Sequence, residues 1–122
     1  MLKNDLYHVT ERQIIEADSS YLFTINIDPK HKIFEGHFPE QPVLPGVCQI
    51  EMVKELVGEI VGKKVRLESS GNIKYIEVVD PNREPIIQMQ LTIDQQPEGI
   101  KVNASSLFSD GRTNFKFMGI FN

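Results

Sequence analysis

Only one segment of this chain, Val47 to Val61, repeats its apolar residues with the period of a helix. Positions 50, 53, 56, 57, 60 and 61 fall on one face. Gly62 followed by Lys63 and Lys64 supplies a stop, because glycine accepts the left-handed conformation that closes a helix and cations suit its carboxyl end. At about 1.5 Å per residue the helix runs on the order of 24 Å, enough to span a small sheet. The rest of the chain reads as strands, so the helix has to bury its apolar stripe against a sheet. That is an α+β layout.

The strand segments are short runs rich in β-branched and aromatic residues. QIIEAD and YLFTINID, separated by Asp18-Ser19-Ser20, read as a hairpin, with Tyr21, Phe23, Ile25 and Ile27 alternating against Leu22, Thr24 and Asn26. Beyond the helix come KVRLES, NIKYIEVV, EPIIQMQLTID, GIKVNASSLF and RTNFKFMGIF, divided by Ser-Gly, Asp-Pro-Asn, Pro-Glu-Gly and Asp-Gly turns. The 122 residues suffice for one modest core, and the expectation is a single domain over 1–122. No apolar run reaches the length of about 20 residues that crosses a bilayer as a helix. MLKNDLYHVTERQ lacks the charged and apolar blocks of a secretory signal, and the lone Cys48 fits a reducing compartment, so a cytoplasmic location is expected. A net charge of −4 argues against general attraction to nucleic acid or to an anionic membrane.

Ahead of the helix lies EGHFPEQPVLPGVCQIE, Glu35 to Glu51, where Pro39, Pro42, Pro45, Gly36 and Gly46 dictate the shape of a loop. His37 is restricted on both sides and titrates close enough to neutral pH to accept a proton. A histidine that merely satisfies a loop hydrogen bond reads the same way. Gly46 opens the helix, where unpaired amides favour an oxyanion; a plain loop-to-helix junction is the alternative. Glu51 lies on the polar side of the helical wheel with Lys54, Glu55 and Glu59, which by itself marks a solvated residue. Its apolar neighbours Ile50 and Met52 leave room for a partly desolvated, usable acid.

GHFPEQPVLPGVCQIE resembles the signature of the 3-hydroxyacyl-acyl carrier protein dehydratases, a hotdog-fold family with Gly-His-Phe-Pro, then Pro-Val-x-Pro-Gly-Val, then a Glu on the central helix. NIKYIEVVDPNRE resembles a later strand and turn of the family, with Asp80-Pro81-Asn82 in place of a Pro-Gly-Asp-like turn. The resemblance implies a long helix wrapped by a curved antiparallel sheet. It makes His37 the base that removes the C2 proton, Glu51 the acid that protonates the C3 hydroxyl, and the Gly46 amide the donor to the thioester oxygen. It further implies a homodimer with sheets joined edge to edge, each site taking the histidine of one chain and the acid of the other. No metal or redox cofactor is required. Phe38, Val47 and Cys48 are expected to line the acyl tunnel, or else to pack in the core. An acidic acyl carrier protein would dock against a basic rim, for which Lys63, Lys64 and Arg66 form the densest cluster, with Arg83 and Lys74 further off. An ordinary solvated charge run is the better reading of those residues.

Met1 to Ile14 lacks the family's Pro-His-Arg-Tyr-Pro-Phe-like segment, Glu55 stands where glutamine is common, and Cys48 where an aliphatic residue is common. Glu55 and Glu59 are expected at the surface. A hotdog thioesterase and a non-catalytic acyl-binding partner share the expected fold and remain alternatives.

Overall fold

The computed structural model describes residues 1–35 and 42–122; His37 and Phe38 fall outside them. Six strands form one antiparallel sheet: β1 (Tyr7–Glu16), β2 (Ser20–Ile27), β3 (Leu67–Tyr75), β4 (Ile86–Gln96), β5 (Gly99–Phe108) and β6 (Thr113–Phe121). The strand order is β1-β2-β4-β5-β6-β3. The helix α1 (Gly46–Val61) and a short 3₁₀ turn (Lys32–Phe34) complete the described elements. No helix among the described residues is long and apolar enough to cross a membrane.

Alternation builds the core. Phe23, Ile25 and Ile27 of β2 are buried in the expected period, and Ile87, Met89, Leu91 and Ile93 of β4 repeat it. These side chains meet Met52, Val53, Leu56 and Val57 of α1 in one hydrophobic cluster. The buried face of the helix is rotated from the expected one: Cys48, Gln49 and Met52 are fully covered, whereas Ile50, Ile60 and Val61 are only partly so. Cys48 and Met52 join the same hydrophobic cluster as the buried strand residues, which places the covered side one turn earlier than the period alone suggests. Gly62 closes the helix in the left-handed region, φ 76°, its amide bonding to the Gly58 carbonyl.

Three strand expectations change. The hairpin strand β1 starts at Tyr7, well before Gln13. KVRLES and NIKYIEVV do not form two strands: β3 runs through Ser69-Ser70-Gly71 without a turn, and its ladder to β6 absorbs the expected break as two irregularities, at Leu67/Ser69 and Ser70/Asn72. Ile76 to Val79 leave the sheet, and the Ile76 and Glu77 amides bond instead to the Asn114 carbonyl at 2.9 and 3.2 Å. β3 is thereby an edge strand, exposed over nearly its whole length.

Candidate active site

The amino end of α1 is fixed from both sides. The Leu44 amide donates to the Val79 carbonyl at 2.8 Å, which pins the chain two residues before the Gly46 start. Pro45 caps the helix in extended conformation and its carbonyl takes the Cys48 and Gln49 amides, at 3.0 and 3.3 Å. Gly46 and Val47 donate to no described residue. A Cβ on residue 46 would stand 2.6 Å from Cζ and 2.7 Å from Oη of Tyr75, so the ring of Tyr75 covers Gly46 and only glycine fits without moving it. Tyr75 in turn leans on Phe115, ring centroids 5.4 Å apart.

Glu51 sits on the second turn of α1 with its side chain 41% exposed, 3.8 Å from Lys54 Nζ. It lines a cavity of about 590 Å³ together with Lys3, Lys54, Glu55, Lys63, Lys64 and Arg66, among others. The structure therefore brings Lys63, Lys64 and Arg66 to the same groove as Glu51. Arg83 belongs to another cavity, with Glu77, Glu84 and Arg112. Val47 is exposed and Cys48 buried at the helix start. Burial, and then the nearby Glu51, push the Cys48 thiol up.

Glu55 and Glu59 are not free surface carboxylates. Glu55 accepts the Leu2 and Lys3 amides at 2.8 and 2.9 Å and the Tyr7 hydroxyl at 3.0 Å. Glu59 pairs with Lys3 and accepts from Arg12 at 2.5 and 2.9 Å. The Arg12 hydrogen bonds first, and Lys3 next, lower its pKa to about 2 against partial burial. Burial, reinforced by Glu55, drives the Tyr7 hydroxyl far up, so it is held as a neutral donor. These partners lie 47 to 56 residues away in sequence, beyond the reach of any helical wheel.

Sequence reasoning also missed a buried polar set. Gln49 Oε1, Ser106 Oγ and both side-chain polar atoms of Asn114 are covered without partners among the described residues. Among the described residues no cluster of three His, Cys, Asp or Glu is arranged to hold a metal. His31 instead caps the 3₁₀ turn, Nδ1 accepting from the Ile33 amide, with Nε2 3.1 Å from Asp5.

Comparison with known proteins agrees with this geometry. The structure superposes on the dehydratase heterocomplex ApeI:P from Xenorhabdus doucetiae with a TM-score of 0.73, at 21% identity, covering 93% of this chain and 96% of that one. It also matches a hypothetical thioesterase with coenzyme A from Streptococcus pneumoniae TIGR4, TM-score 0.64 at 11% identity, covering 98% and 89%. A helix wrapped by a curved antiparallel sheet, shared with dehydratases and thioesterases alike, is the hotdog fold. A 3-hydroxyacyl-acyl carrier protein dehydratase FabZ of Rickettsia bellii (strain OSU 85-389) is 30% identical over 109 residues, which cover 81% of this chain and 74% of the relative. The model of the ApeI-like family, described as ApeI dehydratase, matches residues 13–112, and the chain belongs to that dehydratase family.

Proposed function

We propose that this chain removes water from a 3-hydroxyacyl thioester carried on acyl carrier protein, yielding the trans-2-enoyl thioester for fatty-acid or related acyl-chain synthesis. The observation that carries this reading is the dehydratase match over residues 13–112, a span that contains His37, Gly46 and Glu51. His37 takes the C2 proton. The electron pair moves toward the thioester oxygen, where the Gly46 amide, which donates to no described residue, receives the developing charge. As the enolate collapses to the C2–C3 double bond, Glu51 gives its proton to the departing C3 hydroxyl, which leaves as water.

The reading is of a single hotdog domain in the cytoplasm whose exposed β3 edge pairs with the same edge of a second copy. Each site then combines His37 of one chain with Glu51 of the other. Phe38, Val47 and Cys48 line the acyl path, and the Lys63, Lys64 and Arg66 side of the groove meets the acidic carrier. A mixed subunit pairing is the second reading, favoured by the likeness to a dehydratase heterocomplex.

Complementation tests the shared site. His37→Ala and Glu51→Gln variants should each lose about 10²- to 10⁴-fold in kcat. Mixed and allowed to exchange subunits, they should recover about a quarter of wild-type activity, since half of the dimers then hold one intact site of two. No recovery despite demonstrated exchange would place both groups in one chain. Full activity of either variant would remove that residue from the mechanism.

A further inference from the structure

We infer that Tyr75 is a second hydrogen-bond donor to the thioester oxygen, its phenol completing with the Gly46 amide a two-donor oxyanion site; this rests on the dehydration reading above. The geometry begins at Gly46. The Cα–Cβ bonds of a helix lean toward its amino end, the same end at which the first amides are left unpaired. Tyr75 Oη lies 2.7 Å from the Cβ position of residue 46, so the hydroxyl is within about 5 Å of the Gly46 nitrogen by bond geometry. An oxygen that accepts from that amide is therefore within reach of the phenol.

Three further observations fit a donor rather than a packing residue. Burial moves the Tyr75 hydroxyl upward, and among the described residues it has no charged or hydrogen-bonding partner, so it is a neutral O–H. The ring leans on Phe115 and lays its Cζ and Oη over Gly46, while the residue as a whole is 54% exposed, so the ring is placed by its contacts without being sealed in the core. Finally, β3 pairs only with β6 among the described residues and lies at the sheet edge, so a subunit joined along it would shield Tyr75 from water and strengthen its hydrogen bond to a developing oxyanion.

The test compares wild type, Tyr75→Phe and Tyr75→Leu on a 3-hydroxyacyl thioester of acyl carrier protein, measuring kcat, KM and thermal midpoint. Tyr75→Phe keeps the ring and removes only the donor. It should lower kcat about 10²-fold, with KM within about twofold and the midpoint unchanged. Wild-type kcat in Tyr75→Phe, with loss confined to Tyr75→Leu, would show that only the ring matters and overturn the inference while leaving dehydration intact. A wild-type protein that forms no enoyl product would overturn the dehydration reading and the oxyanion site with it.

Discussion

Replacing Glu55 tests how the chain holds its first strand against the helix. In Glu55→Ala the Leu2 and Lys3 amides and the Tyr7 hydroxyl lose one shared carboxylate acceptor, at 2.8, 2.9 and 3.0 Å. Hydrogen bonds to a charged group contribute about 1.5–3 kcal/mol each when both sides are buried. The two amides can turn to water after the loss, whereas Tyr7 is wholly buried and its hydroxyl is left without a partner. At the low end of that range a combined cost of about 3 kcal/mol follows, counting the tyrosine in full and each amide at about half. For a chain of 122 residues that amounts to about 10 °C in thermal midpoint. Glu55→Gln should cost about 1 kcal/mol, because its Oε1 still accepts from Lys3 and Tyr7 while its amide nitrogen faces the Leu2 donor. Thermal melts followed by circular dichroism give the midpoints, and hydrogen exchange at the Lys3 amide reports the anchor itself. A Glu55→Ala midpoint within about 2 °C of wild type would refute the reasoning.

Other outcomes follow from the same structure. The pKa of Glu59 lies near 2, below the usual 4.5, so its pairs with Arg12 and Lys3 stabilise the fold fully above pH 4.5 and fade as pH falls toward 2; the midpoint gap between wild type and Glu59→Gln should close over that interval in acid melts. Gly46→Ala places a Cβ 2.6 Å from the Tyr75 ring and should displace it, lowering kcat with little change in midpoint, and the same substitution made in Tyr75→Leu should lower kcat by a smaller factor. Leu56→Ala, at a fully buried helix position, should cost about 2–5 kcal/mol in chemical denaturation. Gln49→Met replaces a buried acceptor that has no partner among the described residues and should hold or raise the midpoint in the same melts.

The helix was legible because its period is local: residues 50 to 61 carry it within four turns, and Gly62 marks its end through a conformation that only glycine adopts freely. The rotation of its buried face was not legible, since Cys48 and Met52 are buried in a cluster whose other members come from distant parts of the chain. Ser69-Ser70-Gly71 carries turn chemistry, yet continuous pairing with β6 holds it in a strand. Glu55 and Glu59 read as surface residues because periodicity registers neighbours three or four positions away, and their partners are the first strand and its lead-in. Gly46 was legible as a helix start, but the reason it must be glycine lies in Tyr75, a contact between two elements 29 positions apart. The signature loop named the dehydratase family, and the match over residues 13–112 agrees with it.

The most direct measurement is to incubate the protein with a 3-hydroxyacyl thioester on acyl carrier protein and follow the carrier by intact mass, with His37→Ala and Glu51→Gln in parallel. The account predicts loss of one water with the thioester retained, at a rate that collapses in both variants. Release of free acid would contradict it in favour of a thioesterase, and an unchanged carrier mass across short, medium and long acyl chains would contradict it in favour of a binding partner without chemistry of its own.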